Sequence, residues 1–211
     1  EALCGRHHFI AGYERLNPSR LMGLLWCLSW SRSRQLSGIV KSMLAMPPQH
    51  SKTTSGDMLT VWLFTVTGGR CRIITASHSE SLALIRGTFA RQDIEVAPEL
   101  GVRVAAQDRA KHRWRTADTH GVVLGGLRSF GMSSRISGVP ADVVIVDDAA
   151  DGIAEAVGPN SEAIWERWTS VLQPRLQAHS MATVLGTRWS ESDLAGRLIE
   201  SEPDAWSRIT I

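Results

Sequence analysis

The chain has 211 residues, of which 43% are hydrophobic and 21% are charged, and its formal net charge is +2. These values are typical of a globular domain with one full hydrophobic core and exclude a disordered or fibrous chain. The apolar run at 21–30 is too short to cross a bilayer, so we expect no membrane partner. The three cysteines are widely spaced, which predicts neither a disulfide framework nor a cysteine metal site and fits a reducing cytoplasm.

Residues 1–40 predict a helical lead-in, and residues 41–211 predict one α/β core in which strands and helices alternate. The predicted strands are 42–46, 71–77, 141–148, 181–189 and 206–211. The predicted helices are 54–66, 79–94, 160–176 and 190–202, and the second of these places Leu82, Ile85 and Phe89 on one apolar face. Residues 96–130 predict short strands and turns. Because the strands are almost entirely apolar and alternate with helices, the pattern favours a mostly parallel central sheet with helices on both faces.

Three of the apolar strands end in polar residues, at the edge of a parallel sheet where ligands bind. The first leads into "LAMPPQHSKTT" (44–54), which ends like a phosphate-binding loop but carries Met46 and Ser51 where that loop has glycines. The second is "ADVVIVDD" (141–148), and the third is "MATVLGTRW" (181–189). A nucleoside triphosphatase needs such a set of strand ends.

The residue types at these strand ends suit Mg²⁺-dependent hydrolysis of a nucleoside triphosphate. In a phosphate-binding loop, Lys52 reaches the β- and γ-phosphates and the Thr53 hydroxyl ligates Mg²⁺. Asp147 would hold Mg²⁺ directly or through water, and Asp148 would orient and deprotonate the attacking water. Thr187, at the end of the third strand, is placed to sense the γ-phosphate.

Each of these features has an ordinary alternative explanation. A Lys-Thr pair after two prolines occurs in many turns, and an apolar run ending in two aspartates is also typical of a strand with a solvated end. The order of the three features, each at the carboxyl end of a strand, favours the nucleotide site. The predicted nucleotide-binding residues are Pro48, Gln49, His50, Ser51, Lys52, Thr53 and Thr54.

The same three segments resemble the N-terminal ATPase domain of the tailed-phage terminase large subunit. Members of that family carry a loop of the type "MPPRHGKS", a Walker B strand ending "DDP" and a segment like "TRWHEDDLAGRL". This chain has "MPPQHSKT" at 46–53, "VVIVDDA" at 143–149 and "GTRWSESDLAGRLIE" at 186–200. The likeness covers about residues 42–211 and is most specific in the third segment.

The resemblance implies a P-loop NTPase fold of the additional-strand type, related to RecA and the helicases. It implies a homo-oligomeric ring, expected to be a pentamer, that hydrolyses ATP with Mg²⁺ and moves double-stranded DNA into a procapsid. Thr187 would then couple hydrolysis to DNA movement. The implied partners are the DNA, the portal protein and the small terminase subunit, in the host cytoplasm and transiently on the procapsid portal. The resemblance also implies a C-terminal nuclease domain beyond the residues of this chain.

Ser51 departs from the family pattern, in which a glycine lets the backbone approach the phosphates closely. If a left-handed conformation is required there, it costs a residue with a Cβ about 1–2 kcal/mol, which weakens nucleotide binding without abolishing it. The alternative function is therefore a catalytically weakened or non-hydrolysing ring subunit, such as a degenerate prophage copy. Gln49 is a second departure, because the family often has arginine there.

The loop itself contains no arginine, so positive charge for the transition state has to come from elsewhere. The resemblance implies an arginine finger from a neighbouring subunit, with Arg135 as the first candidate and Arg128 as the second. An exposed solubilising role is the alternative for both. The basic stretch "RAKHRWR" (109–115) is a candidate for contact with DNA phosphates, although most such runs are solvated surfaces. Within it, Trp114 is expected to be a packing residue.

Overall fold

A computed structural model describes residues 39–48, 50, 52–134, 136 and 138–210. These residues form strands β1 (Val40–Ala45), β2 (Arg72–Ser77), β3 (Arg103–Ala110), β4 (Arg113–Ala117), β5 (Val123–Gly131), β6 (Ala141–Asp147), β7 (Leu176–Gly186) and β8 (Trp206–Thr210). The helices are α1 (Lys52–Val66), α2 (Glu80–Val96), α3 (Gly158–Arg167) and α4 (Leu194–Ser201). The predicted helical lead-in (1–40) lies almost wholly outside the described residues. Gln49, Ser51 and Arg135 also lie outside them.

The described strands form one sheet with the order β3-β4-β5-β2-β6-β7-β1-β8. The six neighbouring strands from β5 to β8 in that order run parallel, and β3 and β4 extend the sheet by antiparallel pairing. Strand β7 lies between β1, which leads into the Lys-Thr loop, and β6, which ends at Asp147. This inserted strand is the arrangement expected of the additional-strand group. The six parallel strands confirm the prediction of a mostly parallel α/β sheet.

Helices cover both faces of the sheet. On one face α1 and α2 bury Phe64 and Ile94 against Leu127 of β5. On the other face α4 and the segment after α3 bury Trp168 and Leu198 against the sheet. Each of these large apolar side chains contributes roughly 1.5–3 kcal/mol by leaving water, so the two layers hold the strand ends in fixed positions.

The predicted helix 160–176 is interrupted. Helix α3 ends at Arg167, and the chain continues as a π-helical turn over Trp168–Leu172 and a 3₁₀ turn over Gln173–Arg175. Pro174 accounts for the end of the helical path, because it has no N–H to donate. Strand β7 then begins at Leu176 and ends at Gly186, so the predicted strand 181–189 starts earlier and stops before Thr187.

Helix α2 buries a face of small residues against the sheet. Its buried residues are Ala83, Gly87, Ala90 and Ile94, whereas Ile85 and Phe89, at the expected apolar spacing, are 47% and 46% exposed. The reason is close approach to β5, since a Cβ on Gly87 would lie 2.4 Å from Ser129 Oγ. A larger side chain at that position would push the helix off the sheet.

Gly125 offers a test of how tightly the antiparallel extension packs. An added Cβ would lie 2.4 Å from the carbonyl oxygen of Cys71 and 2.5 Å from that of Gly69, and backbone atoms cannot rotate away. We expect Gly125→Ala to lower the free energy of unfolding by about 1–3 kcal/mol, measured by urea denaturation. Gly152→Ala is the control, because nothing lies within 4 Å of its added Cβ. Equal losses in the two variants would contradict the packing explanation.

Candidate functional site

Three of the predicted catalytic residues meet at the carboxyl edge of the sheet. Lys52 Nζ donates a hydrogen bond to Thr187 Oγ1 at 2.6 Å and lies 3.3 Å from Asp148 Oδ1. The backbone N–H of Thr187 donates to the same Asp148 oxygen at 3.3 Å. The three side chains therefore form one connected cluster, although they come from segments up to 135 residues apart in the chain.

The parallel pairing of β1 with β7 brings Lys52 and Thr187 together. In this register Ala45, the last residue of β1, lies opposite Gly186, the last residue of β7. The backbone N–H of Met46 then donates to the Gly186 carbonyl at 3.2 Å, so the loop leaves the sheet beside Thr187. Lys52 begins α1 and is only 7% exposed, so its ammonium group has little access to water and depends on its partners.

Asp148 has an unusual backbone conformation, with a φ of 46°. This left-handed region costs a residue with a side chain about 1–2 kcal/mol, and strained residues of this kind are frequent at functional sites. The conformation is held by two backbone hydrogen bonds of 2.9 Å, from the Asp148 N–H to the Leu185 carbonyl and from the His78 N–H to the Asp148 carbonyl. In this conformation the Asp148 carboxylate lies 3.3 Å from Lys52 Nζ.

Asp147 ends β6 and is 7% exposed. Burial, followed by the negative charges of Asp148 and Asp57, raises the pKa of Asp147 to about 7. The Thr53 side chain makes a hydrogen bond to this carboxylate, which opposes the rise. Its Oδ1 atom is buried and has no hydrogen-bond partner among the described residues. The two residues predicted to hold Mg²⁺ are therefore in contact with each other.

Asp57 and Arg86 join the site and were missed by the sequence analysis. Arg86 Nη1 lies 3.0 Å from Asp57 Oδ2, which links α2 to α1. Burial raises the pKa of Asp57 to about 6 even though Arg86 opposes the shift. Asp57 follows Thr53 by four residues, which is about one helical turn. This spacing could have indicated an acid beside Thr53 on the same face of α1.

The loop before Lys52 is shaped by its own contacts. His50 Nδ1 lies 2.9 Å from the Pro48 carbonyl oxygen, and both residues are exposed. Thr53 and Thr54 are half-buried in the first turn of α1. His50 thus has a partner within the loop, and its contact with a nucleotide stays a prediction.

The basic stretch 109–115 divides between the two faces of the sheet. Trp114 is fully buried, and its Nε1 donates to the Gly87 carbonyl at 2.9 Å. The centroids of the Trp114 and Phe64 rings are 5.1 Å apart. Trp114 is therefore the packing residue that was expected. Arg113 and Arg115 alternate with it and project to the opposite face. Both pair with Asp108, and both side chains are about half exposed, at 49% and 51%.

Arg128, the second finger candidate, lies in the middle of β5 directly opposite Arg113. Among the described residues its guanidinium has no hydrogen-bond or ion-pair partner. Burial, followed by the charges of Arg113 and Arg115, lowers the pKa of Arg128. The three arginines border a surface cavity of about 360 Å³. We call Arg113, Arg115 and Arg128 the arginine face.

The described part of the chain has no helix that is long and apolar enough to cross a membrane. It contains no group of three or more His, Cys, Asp or Glu side chains placed to hold a metal ion.

Asp147 should make the stability of the protein depend on pH. Its pKa is about 7 in the folded chain against 3.8 for an unperturbed aspartate, so the folded state binds the extra proton and stability falls as pH rises from about 4 to about 7. Asp147→Asn stays neutral. In Mg²⁺-free buffer we expect this variant to be more stable than the wild type at pH 8, with the advantage disappearing towards pH 4, in urea unfolding.

Asp142→Asn is the control of opposite sign. Although burial opposes it, the hydrogen bonds from Arg72 hold the pKa of Asp142 below its ordinary value. The stability that this aspartate provides is present above pH 4 and lost in acid, so Asp142→Asn should lose stability at pH 8. A gain at pH 8 in both variants, or in neither, would contradict the assignment for Asp147.

No protein-family model matches the chain, and no curated protein matches it significantly. Solved structures do match it. The ATPase domain of the Thermus phage P74-26 large terminase has a TM-score of 0.59 at 13% identity, over 87% of this chain and 80% of that one. The large terminase of bacteriophage HK97 has a TM-score of 0.56 at 15% identity, over 82% of this chain.

A third similar structure is a large terminase from a thermophilic bacteriophage, solved in complex with ATP-gamma-S. Its TM-score is 0.58 at 12% identity, over 85% of this chain and 40% of that one. The chain spans only 35% of the HK97 protein and 40% of this third protein, so it corresponds to one part of each. The chain therefore has the P-loop NTPase fold found in the ATPase domains of phage large terminases.

Proposed function

We propose that this chain is the ATPase domain of a viral DNA-packaging terminase large subunit, which hydrolyses ATP to translocate double-stranded DNA into a procapsid. The observation that carries the proposal is the convergence of Lys52, Asp148 and Thr187 at the carboxyl edge of the sheet. In a P-loop fold this is where the terminal phosphates of the nucleotide bind. The likeness of fold to large-terminase ATPase domains supports the same assignment.

The donor set at Asp147 fits Mg²⁺. A buried carboxylate oxygen without a hydrogen-bond partner and a neighbouring threonine hydroxyl are the hard oxygen ligands that this ion prefers. Thr53 and Asp147 would hold the ion, which when bound neutralises charge on the β- and γ-phosphate oxygens. Asp57, which pairs with Arg86, adds negative charge near Asp147 and would favour a bound cation.

Lys52 would bind the γ-phosphate, Asp148 would take a proton from the attacking water, and Thr187 would sense the phosphate. The Lys52 ammonium is already paired with Asp148 and Thr187, so a phosphate oxygen has to compete for it. Once Lys52 binds phosphate, the Asp148 carboxylate is released to accept a proton from the attacking water. Thr187, which loses the same partner, would register that the phosphate is present.

The remaining parts of the proposal concern the complete protein. Residues 41–211 would form the ATPase core, followed by a C-terminal nuclease domain. The subunits would form a ring, expected to be a pentamer, on the portal protein in the host cytoplasm, and the small terminase subunit would be a further partner. Arg135 of one subunit would complete the site of its neighbour.

Lys52→Ala tests the site directly. We expect phosphate release at saturating ATP and Mg²⁺ to fall at least about 100-fold, because one preorganised charged donor to the phosphates is lost. Lys111→Ala is the matched control, since Lys111 is exposed in the turn between β3 and β4 and should leave turnover unchanged. Equal turnover in the wild type and Lys52→Ala would remove the proposed hydrolysis.

Ser51→Gly distinguishes the weakened-copy alternative in the same assay. If the wild type is as inactive as Lys52→Ala and Ser51→Gly restores turnover, the serine has disabled the loop and the chain is a non-hydrolysing ring subunit. Measurable wild-type turnover that depends on Lys52 would exclude that alternative.

The arginine face is the surface that best suits contact with DNA phosphates. It carries three guanidinium groups and one acid, Asp108, on one side of the antiparallel extension. Arg113 and Arg128 lie directly opposite each other, and like charges in that arrangement repel, so a phosphate group between them would stabilise both. Contacts of this kind go to the backbone and are indifferent to base sequence.

Arg113→Ala tests the arginine face. For a random-sequence duplex, we expect weaker binding and a salt dependence of log K that is shallower by about one unit, since each lost phosphate contact removes about 0.9 from the slope. Arg208→Ala, an exposed arginine on β8 at the other edge of the sheet, is the control and should leave the slope unchanged. The same loss in both variants would mean that DNA senses only the overall charge.

A further inference from the structure

The loop after β7 is held by one buried carboxylate. Asp193 is 6% exposed, and its Oδ2 atom accepts hydrogen bonds from Trp189 N at 2.9 Å, Arg188 Nε at 3.1 Å and Ser190 N at 3.2 Å. Its other oxygen, Oδ1, accepts from Gly196 N at 2.7 Å and so caps α4. The Asp193 carboxylate thus accepts four hydrogen bonds, three from residues 188–190 before it in the chain and one from Gly196 after it. Oδ2 holds the loop, and Oδ1 caps the helix.

The residues around Asp193 are closely packed. A Cβ on Gly196 would lie 2.0 Å from the Glu191 carbonyl oxygen, so the loop is folded directly against the first turn of α4. Arg188 Nη2 also donates to the Ser190 carbonyl at 3.1 Å. These contacts and the hydrogen bonds to Asp193 together hold the loop against α4.

The same loop is tied to the segment that follows Asp148. Ser190 Oγ donates to the Ala156 carbonyl at 3.1 Å, and Ser192 Oγ donates to it at 3.3 Å. Thr187 bridges the two segments again at the site itself through its N–H bond to Asp148. Asp193 thus sets the position of a loop whose first residue contacts both Lys52 and Asp148.

We propose that Asp193 is a positioning residue for the hydrolysis proposed above: through Oδ2 it fixes the loop 187–190 and so holds the Thr187 hydroxyl at the place where Lys52 and Asp148 meet. The inference rests on the proposed function. Asp193 does not reach the phosphates, so it should influence the rate of the chemical step and leave nucleotide affinity nearly unchanged. A displacement of about 1 Å at a reacting group can cost up to about 100-fold in rate.

Asp193→Ser separates the two tasks of the carboxylate. Serine caps helices about as well as aspartate, so α4 keeps its Gly196 bond, but serine is too short to accept from the loop as well. We expect kcat for ATP to fall about 10- to 100-fold, while the Kd for a fluorescent ADP analogue changes by less than about threefold. Asp193→Asn is the second variant, because its amide has one acceptor oxygen for the four donors. It should also lower kcat while leaving the Kd for the ADP analogue nearly unchanged.

Asp118→Ser is the matched control. Asp118 Oδ1 also accepts two backbone hydrogen bonds in a turn, from His120 N and Val122 N, both at 2.9 Å, but this turn joins β4 to β5. Wild-type kcat in Asp193→Ser, or equal losses of kcat and affinity, would overturn the positioning role. If the wild type itself hydrolyses no ATP, the proposed function fails first, and the inference fails with it.

Discussion

The structure of the site depends on one pairing, between the nearly buried Lys52 ammonium and the side chains of Asp148 and Thr187. Taking an ammonium group out of water costs several kcal/mol unless it is paired and hydrogen-bonded. The pairing is possible because β6, β7 and β1 are consecutive in the sheet, so the segments after them leave the same edge side by side. The inserted strand β7 supplies Thr187 between the other two.

The charges around this pairing are not arranged for maximum stability. Among the described residues, Asp57, Asp147 and Asp148 face two cations, Lys52 and Arg86, and burial opposes ionisation of Asp57 and Asp147. The left-handed backbone of Asp148 adds strain at the same place. Clusters in which burial and like charges act against ionisation are typical of functional sites. The repulsion between the carboxylates is relieved when a cation binds, and strained backbone is also frequent at such sites.

The main site residues could be predicted from sequence because the rule that locates them is simple. Apolar strands that alternate with helices are parallel, and their carboxyl ends share an edge, so Lys52, Asp147 and Thr187 were expected at the same edge of one sheet. The strand order β6-β7-β1 then makes them neighbours. The Asp57–Arg86 pair could not be obtained in that way, because it depends on how α1 packs against α2. The buried face of α2 was hidden for a related reason. Apolar spacing pointed to Ile85 and Phe89, but the close approach of β5 selects Gly87 and Ala90 instead.

The crossover from β7 to β8 shows how the site is connected to the rest of the sheet. At its start, Asp193 joins the Thr187 loop to α4. Shortly after α4 ends, Glu202 pairs with Lys41 of β1 and accepts from Trp206 Nε1 of β8 at 3.1 Å. Because β8 lies beside β1, this connection passes over the strand that leads into the Lys52 loop. Thr187 and Lys52 are thus joined twice, directly at the site and through α4 to the start of β1.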